Sequence, residues 1–161
     1  MSSTARAIWW GIGLGLLALA GIAVALRKQI RAWFWRREAR EAAQAFKRGR
    51  ELLEAKFFDL AAASGKPRGL RWIDIDWLES VTYARDRETG LLTAFVAVNI
   101  RFEAIPGGDM EDVVAVGNIR DGAAVFHYER GRWGTGGRTL FNMNPEDALT
   151  RLTAQFAPVE A

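Results

Sequence analysis

The sequence contains no cysteine and a single histidine, His127. The first absence removes disulfides, cysteine metal sites and thiol catalysis, and it suits a reducing compartment. The second leaves a metal centre or an acid–base pair without a recognisable histidine partner. Charge is missing from Ala7 through Leu26, twenty consecutive residues. Proline is missing from the long stretch that follows, residues 27–63, where Gly49 is the one glycine. These gaps predict a membrane-length apolar segment and then an unbroken helix.

A helix of twenty residues rises about 1.5 Å per residue and spans roughly 30 Å, the thickness of a bilayer's hydrocarbon core. Residues 7–26 therefore read as a single transmembrane helix behind a short extracytoplasmic tail, 1–6. Trp9 and Trp10 stand at one end, and Trp33, Phe34 and Trp35 lie beyond the other, where amphipathic rings favour the headgroup layer. Arg6 precedes the span, whereas Arg27, Lys28, Arg31, Arg36, Arg37 and Arg40 follow it. The positive-inside rule then places the N-terminus outside and residues 27–161 in the cytoplasm, held at the cell membrane. A cleaved signal peptide ending at Ala18-Leu19-Ala20 is the competing reading, although the apolar run exceeds the 7–15 residues usual for such a core. Gly11 and Gly15 form a G-x-x-x-G step that permits close approach of two membrane helices, a candidate dimer face.

Basic charge is concentrated beside this segment. Residues 1–50 carry ten Lys/Arg and two Asp/Glu, a net +8, and residues 51–161 carry twelve and seventeen, a net −5. Anionic lipid headgroups explain that split better than nucleic acid, which the acidic remainder does not favour. Within the stem, 27–63, Phe46, Leu53, Phe57 and Leu60 form one apolar stripe expected to pack on the segment that follows, since it is too short for a confident coiled coil. Ser64-Gly65-Lys66-Pro67-Arg68-Gly69 stops the helix.

From residue 64 onward a soluble α+β domain is expected. Ile73, Ile75, Trp77, Val81 and Tyr83 alternate along one strand, interrupted by Glu79, and Leu92, Ala94, Val96, Val98, Ile100, Phe102 and Ala104 along the next. Arg87-Glu88-Thr89-Gly90 reads as the hairpin loop, with Val81 opposite Val96, Trp77 opposite Ile100 and Ile75 opposite Phe102. Val113–Ile119 is expected as a third strand, Asp121-Gly122 as a tight turn, Ala123–Glu129 as a fourth strand, and Arg130-Gly131 as a turn setting Tyr128 opposite Trp133. Asn144-Pro145-Glu146-Asp147 opens a short helix with Leu149, Leu152 and Phe156 inward. A long helix, a four- to five-stranded antiparallel meander and a short helix resemble the cystatin-like or nuclear-transport-factor-like arrangements, by analogy of arrangement alone.

Candidate chemistry is thin. His127 reads as a sheet-surface residue. Asp74 and Asp76 are expected to face Glu103 and Arg101, an ion-paired surface with a cation site as the alternative. Glu79 stands in an inward series, so it needs a bulge, an exit or a pocket; if the fold encloses a pocket, Glu79 lines it. Gly131–Arg138 lacks the pattern of either nucleotide loop, and an exposed Trp133 there would mark a partner contact. The expectation is a non-enzymatic, membrane-anchored interaction or assembly module without cofactor or metal, binding another protein or itself. A tethered small-molecule pocket is the alternative.

Overall fold

The computed structural model describes residues 21–64 and 67–161 in full, and the backbone alone of 3–20 and of Val114. Two compact units result, Met1–Glu38 and Ala39–Ala161. Helix α1 runs from Ser3 to Ala63, as the absence of proline predicts. Among the described residues no helix is long and apolar enough to cross a membrane, so the expected span receives no support here; its residues 7–20 lie outside the fully described ones.

From Ala39 onward α1 buries a stripe of Ala39, Ala42, Phe46, Leu53, Phe57 and Ala61. Their spacings of three, four or seven keep one face on the sheet. Leu60, expected in that stripe, is instead exposed. The buried position at this turn is Ala61, where the chain approaches closely: a Cβ on Gly137 would lie 2.6 Å from the Ala61 nitrogen and 2.8 Å from the Leu60 carbonyl carbon. Ser64 closes the helix by donating its hydroxyl to the Ala61 carbonyl.

The second unit is a six-stranded antiparallel sheet in the order β4-β3-β2-β1-β6, with β5 on β3. Its members are β1 (Leu70–Asp86), β2 (Leu92–Ala104), β3 (Arg120–Glu129), β4 (Arg132–Gly134), β5 (Thr139–Phe141) and β6 (Phe156–Val159), and helix α2 (Pro145–Arg151) precedes β6. The β1–β2 hairpin turns at Arg87–Gly90 as expected, and Val81 faces Val96. Beyond that point the expected register fails, because Trp77 faces Val98 and Ile75 faces Ile100. Four residues of β1 there cover two of β2, a bulge at 78–80. A second irregularity between Trp72 and Asp74 puts Trp72 in the core and leaves Ile73 exposed.

Val113–Ile119 is not a strand. It holds a 3₁₀ turn at Val114–Gly117, with the Val116 amide donating to the Val113 carbonyl. Asp121-Gly122 is not a turn either, since both lie within β3 opposite Asn99 and Val98. Gly122 is glycine because a Cβ would sit 3.0 Å from the Thr139 methyl and 3.1 Å from the Leu140 carbonyl of β5. The Arg130-Gly131 turn forms with both residues at positive φ and brings Tyr128 opposite Trp133.

Both sheet faces are covered. Phe46, Leu53, Phe57 and Ala61 of α1 join Ile75, Ala94, Val96, Val98, Ile100, Phe102 and Phe126 in the main core. On the opposite face Ala84, Phe95, Ala123, Val125, Ala148 and Phe156 form a second. Helix α2 starts as expected, with the Asn144 side chain accepting from the Asp147 amide and Pro145 in the first turn. It ends earlier than expected: Phe156, expected on the helix, opens β6, and Pro145 and Ala148 are the buried helical residues, with Leu149 and Leu152 half-buried.

Candidate functional site

The bulge at 78–80 shapes the most distinctive surface of the domain. Two extra residues detach the backbone from the β2 ladder, and the Leu78 carbonyl takes a hydrogen bond from Arg50 Nη2 on α1 at 2.6 Å. The same guanidinium holds Glu54 one turn further along the helix. Glu79 is thereby turned out of the inward series and exposed, which resolves a carboxylate among core positions without burying its charge. Here it lines a cleft of about 480 Å³ with Phe46, Lys47, Arg50, Tyr83 and Glu160. That volume falls within the usual range of small-molecule sites, roughly 300–1,000 Å³. Burial pushes the Tyr83 hydroxyl above its ordinary pKa, partly offset by nearby Arg50. Arg50 and Tyr83 carried no sequence signal of a site; only the bulge brings them together with Glu79.

Trp133 is half-buried rather than exposed. Its indole N–H donates to the Ala42 carbonyl at 2.7 Å, and its ring lies 5.1 Å from Phe46 and 5.2 Å from Tyr128. It pins the β3–β4 hairpin to α1, so the exposure that would mark Trp133 as a partner contact is not found. Of the glycines beside it Gly137 serves close approach, whereas a Cβ on Gly131, Gly134 or Gly136 would meet open space.

On the other face His127 is half-buried, with Nδ1 3.2 Å from the Thr93 hydroxyl. Burial, and then the charge of Arg138, pull its pKa below the ordinary histidine value. Thr93 is fully buried, so this pair cannot present a nucleophile to substrate. Asp86, unremarked in the sequence, is 7 % exposed and accepts from the Glu88 and Thr89 amides at 2.9 Å each and from Gln155. The Thr89 amide above all holds its carboxyl below the usual carboxylate range, against the opposing effect of burial. These bonds fix the hairpin loop.

The acidic face differs from its expected pairing. Asp74 lies opposite Arg101 and pairs with it, while Glu103 lies opposite Arg71 and pairs with that. Both pairs are exposed and worth about 0–1 kcal/mol each. Among the described residues no group of carboxylates or histidine is arranged to hold a metal ion.

In the first unit the described part of α1 leaves Ile22, Val24, Leu26, Ile30, Trp33 and Phe34 between 52 and 58 % exposed. Cations are interleaved with these rings, with the Arg31 guanidinium 4.9 Å from the centre of Trp35 and that of Arg37 5.7 Å from Trp33. Arg27, Lys28 and Arg36 are exposed along the same stretch. Trp9, Trp10, Gly11 and Gly15 lie outside the fully described residues. Against known proteins, no family model, no curated protein and no solved structure matches the chain.

Proposed function

We propose that this protein is a single-pass, membrane-anchored interaction or assembly module without enzymatic activity, its N-terminus outside and its α+β domain in the cytoplasm. The observation that carries the reading is the surface of α1 before Glu38, where large apolar side chains stay exposed among the described residues. Six such side chains in water over four turns are costly, at up to about 1.5–3 kcal/mol for each that could be fully buried. A bilayer removes that cost, and the uncharged run 7–26 has the length to cross one. Arg27, Lys28, Arg31, Arg36 and Arg37 then meet anionic headgroups on the inner side, with Trp33 and Trp35 in the interfacial layer. Gly11 and Gly15 would supply a dimer face within the membrane.

The full chain should sediment with membranes and resist alkaline extraction. Leu16→Lys with Leu17→Lys should release it, since each lysine near a span's centre costs about 2.5–3.5 kcal/mol. Wild-type protein recovered in the alkaline supernatant would overturn the anchor. Because the chain lacks cysteine, single replacements Ser2→Cys and Glu160→Cys report orientation directly. An impermeant maleimide added outside intact cells should label the first and spare the second.

The cleft bounded by Phe46, Glu79 and Tyr83 supports a second reading, a tethered small-molecule pocket. Saturable shifts of Tyr83 and Glu79 resonances on screening small metabolites would favour it over the interaction module.

A further inference from the structure

Strand β1 is paired along its length with β2, but on its other side β6 covers only Tyr83–Asp86. From Leu70 to Thr82 the outer edge of β1 has no strand beside it among the described residues. We infer that this edge receives an extended, basic segment of another protein as an added strand. The inference rests on the interaction-module reading and names the partner's chemistry.

Three features of the edge specify that partner. An uncovered row of backbone N–H and C=O groups is a template for strand addition, which needs an extended rather than a helical occupant. Ile73 and Leu78 on it are 48 % and 38 % exposed, so alternate apolar side chains of a guest have something to cover. Charge decides the sign. Arg71 and Asp74 are already matched by Glu103 and Arg101 across the hairpin, whereas Asp76 and Glu79 have no ion pair or hydrogen bond among the described residues. A guest carrying lysine or arginine opposite them gains what a neutral one does not.

A second copy of this chain is the poorer occupant. Within 70–82 a second copy's β1 edge carries one cation, Arg71, and Glu103 already holds it, so the Asp76 and Glu79 carboxylates gain no new partner there. The bulge also sets the docking length. Arg50 occupies the Leu78 carbonyl and Pro67 already accepts from the Leu70 amide, so the ladder open to a guest is Arg71–Trp77, about 23 Å at roughly 3.3 Å per residue, with Leu78 and Glu79 just past its end.

The test uses the full chain in detergent micelles and a short peptide of alternating lysine and valine, followed by backbone amide NMR. Saturable shifts and slowed amide exchange at 71–77 are expected. The same peptide with alternate amides N-methylated should bind at least about ten-fold more weakly, since it cannot complete the ladder. The surface pair Asp76→Lys with Glu79→Lys should reverse the preference toward a glutamate–valine peptide while leaving the spectrum of the core unchanged. No shift at 71–77, equal binding of the N-methylated peptide, or an unchanged charge preference would each overturn the proposal. Peptide-independent protection of the edge that rises with protein concentration would also overturn it, in favour of a second copy. The peptide can fail while the protein still resists alkaline extraction, so loss of this site and loss of the membrane tether are separate results.

Discussion

Two stretches of one helix treat similar residues in opposite ways. Between Ile22 and Trp35 the large apolar side chains of α1 are exposed, Phe34 at 58 %, whereas between Ala39 and Ala61 a single stripe is buried, Phe57 at 0 %. The difference lies in arrangement more than in composition. Large apolar residues of the first stretch occur all round the helix, while most of those in the second form one buried face, with Lys47, Arg48, Glu51 and the exposed Leu52 outside it. On the proposed membrane reading the first stretch meets lipid and headgroups, whereas the second meets the sheet.

Truncation at matched positions should sharpen that contrast most. Phe57→Ala removes a ring 5.4 Å from Trp77 and 5.5 Å from Phe126. It should destabilise the domain by about 3–5 kcal/mol in denaturant titration. Phe34→Ala should leave the same transition unmoved; an equal loss at both would break the comparison. Gly137→Ala comes next, because its φ of 71° and its approach to Ala61 leave no room for a methyl group. A loss of about 1–3 kcal/mol is expected, read as a lowered Tm of the domain.

Arg50→Ala should cost about 0.5–1 kcal/mol, since the exposed Leu78 carbonyl can take water in place of its donor, and should raise amide exchange at 78–80. Retained protection there would mean the bulge holds itself. His127 gives a smaller, pH-dependent effect. Its folded-state pKa lies below the unfolded value, so the unfolded chain binds the proton more tightly and stability should fall as pH drops below about 6.5. His127→Gln should flatten that dependence between neutral pH and pH 5, measured as Tm against pH. Smallest of all, removing both Arg71 and Glu103 should change stability by under about 1 kcal/mol, for the pair is exposed.

The α+β class, the helix ending at Ala63, the hairpin loop at Arg87–Gly90 and the Asn144 cap were legible because each rests on local chemistry: breakers, turn residues and an acceptor at the right offset. The Tyr128–Trp133 pairing was legible for the same reason. Register beyond Val81 was not: Glu79 marked where a bulge was expected, but an insertion of two residues keeps the alternation intact, so the pattern gave no sign of the shift in pairing. Asp121-Gly122 looked like a turn because glycine serves both turns and close approach, and only the position of Thr139 distinguishes them. The brief strands β5 and β6 carry too few residues for a period to register. As for the cleft, Glu79 stood out as a misfit in an apolar series, but Tyr83 on the same strand read as core and Arg50 belongs to the distant helix, so nothing local joined them to it.

The division of α1 is tested most directly by a single-cysteine spin-label scan over residues 21–38 and, for contrast, 47–56, with the full chain in vesicles containing anionic lipid. The account predicts that labels at Ile22 and Val24 are reached by oxygen and shielded from a water-soluble nickel reagent, that the preference reverses near Trp33–Arg37, and that Lys47 and Leu52 report water. Nickel accessibility as high at Val24 as at Leu52 would contradict it.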